Sequence, residues 1–70
     1  MDVIKIFSER FKELKQSSGL GNIPLSVDLE ISDASISRLE NAKQAPSIIM
    51  LYKIAKYFKV SADYLIGLED

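Results

Sequence analysis

The sequence ISDASISRLENAKQAPS spans residues 31–47 and runs from a turn through a short helix to a proline and a serine. Ser32 suits the N-cap position, where a hydroxyl accepts a hydrogen bond from the first helical turn. Only Ile36 and Leu39 have the spacing that would hold this helix against a core. The other side carries small and polar residues, which are Asp33, Ala34, Ser37 and Arg38. We therefore predict a helix over 33–40 with a narrow apolar edge and an exposed polar face.

Apolar spacing predicts four more helices around this one. The first is amphipathic, because its apolar residues recur at intervals of three and four, at Ile4, Phe7, Phe11 and Leu14. In the fourth, the predicted inner face consists of Ile48, Leu51, Ile54, Ala55 and Phe58. The five predicted helices cover residues 2–17, 23–29, 33–40, 48–58 and 62–66. No segment alternates like a strand, so we expect residues 1–70 to form a single, compact all-α domain.

Serine and glycine residues mark the ends of these helices. Ser47 and Ser61 each precede a predicted helix and are expected to be N-caps. Gly19 and Gly67 each follow the last apolar position of a helix, where glycine readily adopts the left-handed backbone of a C-cap. Four of the five helices therefore have a recognisable start or stop signal.

The second and third predicted helices are separated only by residues 30–32. Two short helices joined by such a turn cross steeply, as in a helix-turn-helix. The helix over 33–40 is then the one that would enter the major groove of DNA. Its small residues permit a close approach, and Arg38 can donate two hydrogen bonds to guanine O6 and N7. These residues favour DNA binding.

The composition excludes several classes of function. The chain has no cysteine and no histidine, which excludes disulfides, thiolate metal sites and imidazole catalysis. A catalyst would need paired carboxylates or an activated serine or lysine in a cleft, and the sequence shows no such arrangement. No apolar run approaches the roughly 18 residues that span a bilayer, and no signal peptide is evident. We expect a cytoplasmic protein without enzymatic activity, cofactor, metal, small-molecule substrate or membrane contact.

Three segments together resemble one known family. They are FSERFKELKQSSGL at residues 7–20, ISDASISRLENAKQAPS at 31–47 and LYKIAKYFKVSADYLIG at 51–67. The chain is similar over nearly its whole length to the lambda-repressor-like, Cro-type (xenobiotic response element) helix-turn-helix domains. This resemblance implies a five-helix fold that binds double-stranded operator DNA as a homodimer and regulates transcription. It also implies repression as the expected mode, and an origin in a phage or mobile element.

The resemblance also implies the roles of particular residues. The base-reading positions of the family fall on Asp33, Ala34, Ser37 and Arg38. The phosphate-binding positions fall on Asn22, Ser35, Asn41 and Lys43. The basic and acidic residues that pair between the first and third helices fall on Lys15 and Glu40.

Several residues depart from the pattern of the family. Pro24 disfavours helical backbone at Ile23, which predicts a late start for the second helix. Glu30 and Ala42 replace usual glycines, and a left-handed backbone there would cost about 1–2 kcal/mol each. Asp33 has two interpretations, since its carboxylate can accept a hydrogen bond from cytosine N4 or stabilise the helix N-terminus.

Apolar residues outside the predicted core indicate a contact surface. We expect the homodimer interface at the fourth and fifth helices, formed by Met50, Val60, Tyr64 and Leu65. The pair Ile23 and Val27 on the second helix has no predicted role. An alternative function is a protein-binding regulatory module on the same fold, in which the face that would read DNA no longer binds it. Acidic Asp33, the Ile23–Val27 pair and the net charge of −1 favour this alternative.

Overall fold

The computed structural model describes residues 2–70, and this part of the chain forms five helices and no strands. The helices are α1 (Val3–Ser18), α2 (Asn22–Leu29), α3 (Asp33–Glu40), α4 (Ile48–Phe58) and α5 (Ala62–Ile66). Helix α1 packs against both α3 and α5, while α2 packs against α3 and α4. The predicted all-α class is confirmed. Within residues 2–70 no helix has the length and apolar character needed to cross a membrane.

One core holds the five helices together. Its buried apolar residues are Phe7, Phe11, Leu25, Leu29, Ile31, Ile36, Leu39, Ile54 and Leu65. The Phe7 and Phe11 rings stack with centroids 5.6 Å apart, and Phe58 meets Phe11 edge-on at 6.4 Å. Burying one such side chain stabilises the fold by about 1.5–3 kcal/mol. Every helix contributes at least one side chain to this core.

Two apolar residues assigned to inner faces lie outside the core. Ile48 is 86% exposed, which corrects its predicted place on the inner face of α4. At about 100° per residue, Ile48 lies roughly 120° around the helix from buried Ile54. Ile4 is also exposed, because it lies in the first turn of α1, a full turn before the contacts of Phe7.

The start of α2 differs from the sequence prediction. The helix begins at Asn22, so the predicted late start is wrong. Pro24 is the third helical residue, where the missing N–H has no intrahelical partner to lose. The proline therefore fits inside the first turn, and Asn22 keeps its position at the front of the helix.

Four helices end in the same hydrogen-bonded turn, known as a Schellman motif. In each, the residue that follows a left-handed residue donates its N–H to a carbonyl five residues back, as in Lys43 N to Arg38 O at 2.8 Å. The left-handed residue of the motif is Glu30, Ala42, Lys59 or Gly67. Only Gly67 is of the type that suits this backbone. The expected strain at Glu30 and Ala42 is thus present, and Lys59 adds a third case.

Candidate nucleic-acid interface

The four predicted base-reading residues lie together on the outer face of α3. Asp33, Ala34 and Arg38 are exposed and Ser37 is half-buried, while Ile36 and Leu39 on the opposite side are fully buried. The Ser32 hydroxyl caps the helix by accepting from Ser35 N at 3.1 Å. The helix thus has one side packed in the core and one exposed side, and the exposed side can enter a groove of DNA.

The C-terminal end of α3 is fixed to α1 by two polar contacts. Lys15 Nζ donates to both carboxylate oxygens of Glu40 at 3.0 Å, and both side chains are largely buried. Buried Ser8 donates its hydroxyl to the carbonyl oxygen of Leu39. Within residues 2–70, Lys15–Glu40 is the only ion pair. The orientation of α3 relative to α1 is therefore set by directed bonds as well as by apolar packing.

Arg38 is held against the protein on one edge of its guanidinium. Its Nε donates to Gln44 Oε1 at 2.8 Å, and its Nη2 donates to Ser35 Oγ at 3.2 Å. Gln44 was not among the predicted site residues. It lies six positions after Arg38 in a loop without periodicity, so no local pattern could have identified it.

The four predicted phosphate-binding residues have different environments. Lys43 is exposed in the loop after α3, where its ammonium is free to reach a phosphate. Asn41 is also exposed, but its amide already donates to Ser37 O at 2.8 Å. Ser35 is only 8% exposed, and its hydroxyl accepts from Ser32 and Arg38. Ser35 is therefore better placed to hold Arg38 than to bind a phosphate.

Asn22 is half-buried at the first position of α2. Its Oδ1 is buried and has no hydrogen-bond partner, the only such side-chain atom among residues 2–70. Buried polar atoms are nearly always paired, because an unpaired one costs about 1–3 kcal/mol. The unpaired atom is an acceptor, so any phosphate contact at this helix N-terminus would come from the Asn22 amide nitrogen or from backbone N–H groups.

The residues predicted for a dimer interface do not form one free apolar patch. Leu65 is fully buried in the core and offers no surface, which corrects its assignment. Met50 is half-buried, with its Sδ 3.9 Å from Gln44 Nε2. Tyr64 is half-buried, and the Arg10 guanidinium lies 4.4 Å from its ring centroid. Val60 is half-buried as well.

Apart from Leu68, which is 73% exposed just after α5, the most exposed apolar side chains lie on α2 and α4. On α2, Ile23 is 68% and Val27 is 70% exposed, and on α4 the outer face carries Ile48, Ile49 and Tyr52. In the sequence, the Ile23–Val27 pair already stands out as apolar residues without a predicted role. The exposure of Ile48 and Tyr52 extends this apolar surface along α4.

The comparisons with known proteins agree with this geometry. A helix-turn-helix family model matches residues 11–65, which is most of the chain and includes α2, α3 and the turn between them. No curated protein and no solved structure shows a significant match. The family model supports DNA binding and the regulation of transcription as the general function. The chain belongs to the lambda-repressor/Cro-like helix-turn-helix family of DNA-binding domains.

Proposed function

We propose that this chain binds operator DNA sequence-specifically as a homodimer and represses transcription, with the outer face of α3 in the major groove. The observation that carries the proposal is the contrast between the two sides of α3. One side is buried and bonded to α1, while Asp33, Ala34 and Arg38 are exposed on the other. A helix of this kind presents a rigid set of polar groups to base edges.

The few positive charges near this face predict that the affinity for DNA depends moderately on salt concentration. Arg38 and Lys43 are the exposed basic residues on and next to α3, and Asn22 can add a neutral contact. With these two cations, each monomer would neutralise about two phosphates, so the slope of log affinity against log salt would be about −4 for a dimer. A flat salt response accompanied by measurable binding would contradict this assignment of phosphate contacts.

The proposed dimer would read two half-sites about 34–36 Å apart. Because Leu65 is buried, we place the interface on the surface next to it, formed by Val60, Tyr64 and exposed Leu68. Sedimentation of Leu68→Asp tests this placement, and Ile49→Asp, the same kind of change on the exposed face of α4, is its control. A folded Leu68→Asp variant that dimerises like the parent would place the interface elsewhere.

Selection of DNA from a random pool tests the proposed function directly. The parent should enrich a two-fold symmetric sequence, and Arg38→Ala should lose preference at one base pair per half-site, weakening binding by about 1–3 kcal/mol. Lys43→Ala should instead weaken binding to all sequences alike. Equal losses on every sequence for Arg38→Ala would make Arg38 a phosphate contact only.

A protein-binding module remains the second candidate, because one observation favours it. The exposed apolar side chains Ile23 and Val27 lie on α2, which borders an open groove of about 380 Å³ against α4. The groove is lined by Asp28, Leu29, Glu30, Tyr52, Lys53, Lys56 and Tyr57. Apolar surface beside charges of both signs is typical of protein interfaces. A parent that binds no DNA at low salt would favour this candidate.

A further inference from the structure

Gln44 lies in the loop between α3 and α4, with its side chain against Arg38. Gln44 Oε1 accepts from Arg38 Nε at 2.8 Å, and Ser35 Oγ accepts from Arg38 Nη2 at 3.2 Å. We infer that Gln44, together with Ser35, positions the Arg38 guanidinium for base recognition. Gln44 is then a specificity-determining residue that need not touch DNA. This inference rests on the proposed reading of DNA by α3.

The two contacts occupy one side of the guanidinium and leave another side free. Arginine has five N–H donors in a planar fork. The Nε–H and one Nη2–H are bonded within the protein, so the two Nη1–H groups and the second Nη2–H remain. The end formed by Nη1 and Nη2 can therefore donate two parallel hydrogen bonds. Such a bidentate contact matches guanine O6 and N7.

The loop after α3 brings Gln44 back to Arg38. The Schellman turn closes through Lys43 N to Arg38 O at 2.8 Å and Ala42 N to Leu39 O at 3.4 Å. The chain reverses at left-handed Ala42, so residue 44 lies beside residue 38. The Gln44 amide nitrogen faces Met50 Sδ on α4 at 3.9 Å, while the amide oxygen faces Arg38.

Ser35 is held in turn by the cap of α3. Ser32 Oγ donates to Ser35 Oγ at 2.9 Å and also accepts from Ser35 N at 3.1 Å. The side chain that meets Arg38 Nη2 is therefore fixed by the residue that starts the helix. The guanidinium is bonded to two points of the protein, one on α3 and one in the following loop.

A guanidinium held in this way should bind its base with less loss of rotamer freedom. Fixing a long side chain at an interface weakens binding by about two- to tenfold, and prior positioning removes part of that loss. The bonded edge also restricts the directions in which the free end can point. We expect Gln44 to affect discrimination at the base pair that Arg38 reads, and to have little effect at other base pairs.

The experiment compares Gln44→Ala with Gln16→Ala, a change of the same residue type at an exposed site on α1. Affinity is measured for the selected operator and for an operator changed at the Arg38 base pair. Gln44→Ala should weaken operator binding about two- to tenfold and reduce discrimination at that base pair. In an Arg38→Ala background it should have no further effect. Gln44→Glu retains an acceptor oxygen, so it should restore the base preference even if repulsion from phosphates lowers the affinity.

Proton exchange of the Arg38 Nε–H, measured by NMR in the free protein, tests the contact without DNA. This proton should exchange faster in Gln44→Ala than in the parent or in Gln16→Ala. An unchanged exchange rate would by itself refute the contact between Gln44 and Arg38. Equal weakening on all operators, or an additive loss in Arg38→Ala, would also overturn the inference. A parent that selects no sequence would refute the proposed function and with it the role in base recognition.

Discussion

Replacing Ala42 with glycine should raise the stability of this domain. Ala42 has φ of 57° at the left-handed position of the turn that ends α3, and its side chain is exposed. The Cβ makes this backbone unfavourable by about 1–2 kcal/mol. Glycine removes that strain but gives the unfolded chain more freedom, which costs about 0.5–1 kcal/mol. Taking the middle of each range, the net gain is about 0.5–1 kcal/mol.

Thermal and urea unfolding followed by circular dichroism measure this gain. For a chain of this size, about 0.5–1 kcal/mol corresponds to a rise in Tm of roughly 2–8 °C. The matched control is Ala34→Gly, the same substitution at an exposed residue inside α3. That change should lower the stability by up to about 1 kcal/mol, because the backbone there is right-handed. If both variants lose stability equally, the left-handed strain at Ala42 does not outweigh the freedom that glycine adds to the unfolded chain, and the reasoning is refuted.

Three further changes have expected outcomes. Asp33→Asn should increase affinity for random DNA in titrations at low salt, because it removes a carboxylate from a face directed at phosphates; a selective loss on the chosen operator would instead indicate a contact with cytosine N4. Glu40→Gln should lower the free energy of unfolding by about 1 kcal/mol, because Lys15 loses its partner in a largely buried site, and denaturant unfolding measures the change. The Tyr57 phenol donates to Asp28 Oδ2 at 2.7 Å, which raises its pKa through that hydrogen bond first, with burial and the charge of Asp28 adding to it. This stabilisation is complete below the ordinary tyrosine pKa of about 10 and is lost as the pH rises through the raised value, so the parent should lose more stability than Tyr57→Phe in that alkaline range.

The helices could be predicted because their signals are local. Ser32, Ser47 and Ser61 each cap the helix that follows them, and each accepts a hydrogen bond from the first turn as expected. The apolar stripe of α1 likewise placed Phe7 and Phe11 in the core. These features depend on residues within one or two turns of each other, so a single sequence contains them.

The side-chain contacts across the fold could not be predicted. Gln44 meets Arg38 only because left-handed Ala42 reverses the chain, and buried Ser8 meets Leu39 only because α1 and α3 pack together. Neither contact has a spacing rule that a sequence would reveal. The burial of Leu65 shows the same limit. An apolar residue near a predicted surface cannot be assigned to core or interface until its neighbours are known.

Helix α1 contacts both α5, next to the proposed dimer surface, and α3, the proposed reading helix. The Lys15–Glu40 pair and the Ser8 hydroxyl fix the contact of α1 with α3. At the other contact, Arg10 donates to the backbone oxygens of Tyr64 in α5 and of Glu69 after it. Helix α1 therefore connects the two surfaces rigidly. In a dimer, α1 would therefore set the separation of the two reading helices. Helix α3 could not shift by itself to suit an operator of different length. An operator with one base pair inserted at its centre would have to bend or untwist, or it would lose one of its two half-sites.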